Sequence, residues 1–77
     1  MQEPFTIRLD VSRRPGGMFY ARCSQVPGLH IVGEDMGALQ QTAVIAVKDL
    51  FKRNRGLDVD VTPRENLAEL GVRVLEH

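Results

Sequence analysis

The hydrophobic and polar positions of this chain follow two rhythms in turn. From Phe5 to Ser12 they alternate, with Phe5, Ile7, Leu9 and Val11 apolar and Thr6, Arg8, Asp10 and Ser12 polar between them. A period of two is the pattern of a strand with one buried face. Arg13-Arg14-Pro15-Gly16-Gly17 then turns the chain, its two glycines free to take positive φ. Met18 to Ser24 is predicted as a second strand, paired with the first in a hairpin. Phe19, Ala21 and Cys23 are its inward set, and Tyr20, Arg22 and Ser24 its outward set. Pro27-Gly28 makes another turn. A short third strand follows from Leu29 to Gly33; parity puts Leu29 and Ile31 in, His30 and Val32 out.

The period then changes. From about Gly37 to Asn54 the spacing is helical: Met36, Leu39, Ala43, Ala46, Val47 and Leu50 share one side, with Val44 and Phe51 at its edge. Gln41, Thr42, Lys48, Asp49, Lys52 and Arg53 take the other. Glu34 and Asp35 precede the first turn, and Lys52, Arg53 and Arg55 gather at the last, each matching the sign of the helix dipole there. Gly56 supplies the stop. At 1.5 Å per residue such a helix is roughly 27 Å long, enough to cross three or four strands. Ile45 breaks the pattern. It is a large apolar residue on the polar side, with Ala38 one heptad before it and Gln41, Thr42 and Asp49 around it.

Leu57 to Val61 alternates again and is predicted as a fourth strand. A right-handed crossover makes it parallel to the third strand, and two antiparallel turns make it parallel to the first. The simplest arrangement is a sheet of order 3-2-1-4 with the helix on one face. Thr62-Pro63-Arg64-Glu65 has the form of a capping box with proline at the first helical position. It predicts a short C-terminal helix from Pro63 to Leu70, closed by Gly71, with Leu67 and Leu70 docked. Val72 to Val74 is then a further short strand or an ordered tail. The expected class is α+β, in the order β-β-β-α-β followed by a short helix.

Length and composition narrow the functional classes. Seventy-seven residues make one small domain, expected over residues 1–74. The terminal Leu75-Glu76-His77 resembles the start of a polyhistidine tag. A core this small gains from association, so a homodimer is expected. Ten basic residues balance ten acidic ones, leaving no overall field to draw nucleic acid or membrane. The one cysteine, Cys23, cannot close an internal disulfide and favours a reducing compartment. No apolar run is long enough to span a bilayer, and the amino terminus lacks a signal pattern. A cytoplasmic protein without membrane contact is expected.

Candidate chemistry is sparse. Asp10, Asp49, Asp58 and Asp60 resemble in layout the carboxylates of ribonuclease H-like nucleases. Parity separates them: the strand aspartates face away from the helix, and Asp49 lies on the helix's own solvent side, so they share no magnesium. Cys23 and His30 fall on opposite faces, which makes Cys23 a small core hydrophobe rather than half of a thiol–imidazole pair. No metal or nucleotide motif is present. The chain is expected to have no catalytic residue, cofactor or metal. Two surfaces stand out for binding. One is Ile45 with Ala38, Gln41 and Asp49. The other is the outer sheet face carrying Arg8, Tyr20, Arg22 and His30, with Val32 at the edge of the sheet. An aromatic flanked by arginines on an open sheet is one way to stack RNA bases; it is also an ordinary strand surface.

Phe19-Tyr20-Ala21-Arg22-Cys23, Val26-Pro27-Gly28-Leu29, Gly33-Glu34-Asp35 and the alanine-bearing helix together are similar to the HicB-like antitoxin family, closest to its short members of unassigned function. The likeness covers about Phe5 to Val61. Family members usually open the helix through Thr or Ser and glutamates, where this chain has Glu34-Asp35-Met36-Gly37. The resemblance implies a truncated ribonuclease H-like fold and no catalysis. It implies a toxin-neutralising, protein-binding module with a small toxin-like partner. The DNA-binding domain that longer members append has no counterpart in Pro63 to Val74. A solitary RNA-binding domain and a structural subunit of a larger assembly stand as alternatives.

Overall fold

The computed structural model describes residues 4–75, in the order β1 (Phe5–Arg8), β2 (Asp10–Arg13), β3 (Phe19–Arg22), β4 (His30–Gly33), α1 (Met36–Arg55), β5 (Val59–Pro63) and β6 (Glu69–Val74). The expected first strand is a single run that serves two ladders. Its first half pairs with β6 and its second half with β3, both antiparallel. Backbone groups of alternate residues point to opposite sides of a strand. Leu9 therefore donates its N–H to Ala68 O at 2.7 Å on the β6 side, while Arg14 donates to Met18 O at 2.8 Å on the β3 side. The result is two three-stranded sheets, β1-β6-β5 and β2-β3-β4, staggered along one shared run.

This overturns the expected order 3-2-1-4. The fourth strand, β5, does not lie beside the first; β6 lies between them, antiparallel to both. Two antiparallel steps still leave β5 parallel to β1, so its direction was legible and its neighbour was not. The short C-terminal helix does not form either. Pro63 ends β5, and Asn66 makes a turn instead: its carbonyl accepts from Glu69 N–H at 2.9 Å and its side-chain Oδ1 from Ala68 N–H at 3.0 Å. The competition is decided by burial. As a strand, β6 puts Leu70 and Val72 at 0% exposure, and its backbone serves ladders on both sides. A helix of eight residues is marginal alone and would bury only Leu67 and Leu70; in the structure Leu67 is 41% exposed.

Helix α1 matches its sequence signals closely. Asp35 caps it, its carboxylate accepting from Ala38 N–H at 2.7 Å, and Gly56 ends it in the left-handed region at φ 64°. Leu39, Ala43 and Val47 are fully buried against the sheet, with Phe51 continuing the stripe. Facing them are Ile7, Leu9, Ala21, Ile31, Val59, Val61, Leu70 and Val72. Gly33 permits the approach: a Cβ there would stand 2.9 Å from Leu39 N.

One buried residue escapes the apolar pattern. Gln40 is only 4% exposed, and its amide nitrogen lies 3.0 Å from Arg64 O, 3.1 Å from Glu69 O and 3.4 Å from Asn66 O. It ties the helix to the turn that starts β6. Leu75 N–H reaches Asp58 O at 2.9 Å and extends the β5–β6 ladder; Glu76 and His77 of the tag-like end lie outside the described residues.

Leu39→Ala should lower stability by about 2–5 kcal/mol in urea unfolding, through lost burial and an unfilled cavity. Gln40→Ala should cost about 1–3 kcal/mol, because it removes a buried amide that donates to the half-buried carbonyls of the turn before β6. Amide exchange at Glu69 and Leu70 should quicken in that variant before exchange in β3.

Candidate functional site

The helix covers one face of the sheet and leaves the other bare. Even-numbered residues of the first run and of β3 and β4 point to the bare face, which is why Tyr20, Arg22 and His30 come together there as parity requires. Tyr20 and His30 are joined, hydroxyl to Nδ1, at 2.7 Å. Arg22 is the direct cross-strand neighbour of both Asp10 and His30. Together Asp10, Arg22, Ser24 and His30 line a shallow concavity of about 490 Å³.

Arg14 completes this cluster and was not singled out from the sequence. Its guanidinium carbon lies 4.4 Å from the centroid of the Tyr20 ring, a cation–π contact. The signal was available, since Arg14 has the same parity as Ser12 and Asp10 and sits beside the hairpin turn.

Three further arginines of the bare face each meet a partner on another strand. Arg8 bonds Glu69 at 3.0 Å, Arg73 lies 3.7 Å from Asp60, and Arg64 donates to Thr6 Oγ1 at 3.2 Å. The face is thus a mosaic of both signs rather than a basic stripe. The candidate carboxylates are dispersed as well: Asp49 pairs with Arg53 at 3.1 Å and Asp58 with Lys52 at 3.0 Å. Among the described residues no three His, Cys, Asp or Glu side chains gather as a metal site. Cys23 is buried at 6% exposure, while His30 lies on the opposite, exposed face. No helix of the described residues is long and apolar enough to cross a membrane.

The other predicted cluster lies on the far side of the molecule. Ile45 is 72% exposed, on the outer surface of α1, with Ala38, Gln41 and Asp49 also exposed. The smallest extent of the fold is 17 Å, so the helix surface and the bare sheet face are back to back. A single small ligand cannot touch both.

The sheet edges differ in a way the sequence did not announce. In the β5–β6 register, residues of even number in β5 bond to β6, so Val59, Val61 and Pro63 direct their backbone outward. Pro63 has no N–H to offer there, and proline on an outward position blunts an edge. On the opposite side, Tyr20 and Arg22 bond to β2, so Phe19 and Ala21 bond to Gly33 and Ile31 of β4. His30 and Val32 therefore direct N–H and C=O outward, with no proline, lysine or carboxylate within β4. Val32 is 54% exposed.

No family model matches the chain, and neither a curated protein nor a solved structure matches it.

Tyr20→Phe removes the hydroxyl that meets His30. It should leave the fold intact, lower stability by about 0.5–1 kcal/mol, and move the ring-nitrogen NMR shifts of His30. Unmoved shifts would mean the pair does not form in solution.

Proposed function

We propose that this chain is a non-enzymatic protein-binding module, similar in role to the toxin-neutralising domain of HicB-type antitoxins. Its partners are a small toxin-like protein and a second copy of itself, in the cytoplasm. The observation that carries this reading is Ile45, a large apolar side chain 72% exposed at the middle of the helix's outer surface and rimmed by polar residues. An apolar anchor inside a polar rim is the anatomy of a protein–protein contact. The exposed outer edge of β4 supplies a second contact of a different kind.

Two features favour a protein over RNA on the sheet face. Stacking needs a free aromatic face, and Arg14 covers one side of Tyr20. Unmatched cations favour phosphate binding, and on this face Arg8 and Arg73 already face Glu69 and Asp60 while Arg22 stands across from Asp10. A structural subunit of a larger assembly would use the same two contacts.

Co-expression with the product of the adjacent reading frame, followed by pull-down, tests the proposal. Ile45→Glu should keep the circular dichroism of the wild type and weaken capture of that product by at least about tenfold. A fluorescence titration with single-stranded RNA across a salt series is the counter-test. Tight binding with a steep salt slope, lost on Arg22→Ala, would replace this reading with the RNA one.

A further inference from the structure

We infer that two copies of this chain join edge to edge along β4, antiparallel, with Val32 facing its own counterpart across a two-fold axis. This rests on reading the chain as a protein-binding module and specifies one of its contacts.

The backbone sets the possibilities. His30 and Val32 present outward N–H and C=O groups that the ladder with β3 does not use. Opposed residues of an antiparallel pair lie on the same face of the sheet, so a two-fold axis can pass only beside a residue that meets itself. Within β4 the useful centres are His30, Ile31 and Val32. Centring on His30 sets the two imidazoles against each other. Centring on Ile31 sets His30 against Val32 and leaves Glu34 opposite Gly28, joining no charge-complementary pair.

Centring on Val32 does more. It pairs Val32 with Val32 on the bare face, where each is 54% exposed in the single chain. It places Ile31 opposite Gly33, which has no side chain to obstruct it. It brings Glu34 of the second copy opposite His30, twice. His30 is placed for that contact: its Nδ1 is engaged by the Tyr20 hydroxyl at 2.7 Å, which orients the ring and leaves Nε2 as the nitrogen available to a carboxylate. Arg22, the next residue inward from His30, adds a positive charge to the same spot. Charge complementarity therefore selects a second copy of this chain as the occupant and selects the register.

The geometry has a consequence for the partner. A two-fold axis normal to the sheet keeps both helices on one side, so the dimer presents two Ile45 anchors on a single surface. A partner with two copies of its own site would be held bivalently.

Sedimentation across a concentration series, with disulfide cross-linking, tests the register. The wild type should be dimeric, and Val32→Pro monomeric with unchanged circular dichroism, because the donor it removes is one the single chain does not use. Val32→Cys should cross-link under mild oxidation: paired residues at this kind of position stand about 5.5 Å apart, inside the roughly 4.4–6.8 Å span of a disulfide. His30→Cys should not cross-link. The wild type, whose one cysteine is buried, is the blank. Glu34→Arg should raise the dimer dissociation constant about tenfold, and adding His30→Glu should recover it. A wild type monomeric at several hundred micromolar, a Val32→Pro variant that stays dimeric, or cross-linking at position 30 instead of 32 would overturn the inference. Ile45→Glu should leave the dimer intact. A monomeric wild type that still binds its partner through Ile45 overturns the dimer alone; a dimer that captures no partner overturns the module reading alone.

Discussion

The placement of β6 is the constraint on which the rest of the fold depends. It is the central strand of its sheet, with β1 on one side and β5 on the other, and Leu70 and Val72 beneath the helix at 0% exposure. Without it, β5 would end the chain with no ladder, and the first half of the opening run would have no partner on its odd-numbered side. Burial and hydrogen bonding act together here, since a strand inserted between two others satisfies backbone groups on both flanks while it buries one face. Gln40 fixes where that strand begins. Its amide reaches the carbonyls of Arg64 and Glu69, so the helix that covers the sheet also sets the turn that completes it. A buried amide bonded in this way specifies position more sharply than an apolar contact would, because a shift of one residue would strand its donors.

The shared run from Phe5 to Arg13 makes the fold broader than its length suggests. Offering one side to β6 and then the other to β3 allows two sheets to be built on a single strand's length of backbone. The offset leaves Arg8 N–H without a strand neighbour, and Gln25 Oε1 accepts it at 3.0 Å. The loop after β3 thus substitutes for a ladder bond. The Pro27-Gly28 corner that follows is held by Asn54, whose Nδ2 donates to Pro27 O at 3.3 Å, and β4 departs from there.

The two faces and two edges are specialised in different ways. On the bare face both signs are interspersed, with Arg8 and Arg73 paired to Glu69 and Asp60 and Arg14 laid on Tyr20, which weakens any long-range field and leaves recognition to short-range geometry. At the β5 edge, a proline on an outward position discourages strand addition. The β4 edge has no such guard, and its flanking groups, His30 and Glu34, are of complementary character. Unguarded edges in small proteins are hazards unless they are used. The asymmetry between the two is a structural argument that one is an interface.

Local pattern determined the elements that sit on a strong period. The helix, the buried positions Ile7, Leu9, Ala21, Cys23, Leu29 and Ile31 of the first three predicted strands, the exposure of Ile45 and the shared face of Tyr20, Arg22 and His30 all follow from spacing, because parity and the 3.6-residue turn fix which way a side chain points. Phe5 shares the inward parity yet is 41% exposed at the start of its strand. The segment from Thr62 to Val74 was different. Its local signals, a threonine cap followed by proline and glutamate, favoured a helix, while the alternation of Leu70, Val72 and Val74 favoured a strand. Two local preferences of similar size cannot decide between themselves. Tertiary structure decided, since only the assembled sheet offers a slot between β1 and β5 in which both flanks and one face are satisfied at once. The burial of Gln40 and the contact of Arg14 with Tyr20 belong to the same class: each depends on which distant segment arrives beside it, and that information is held in the register of the strands rather than in any local run of residues.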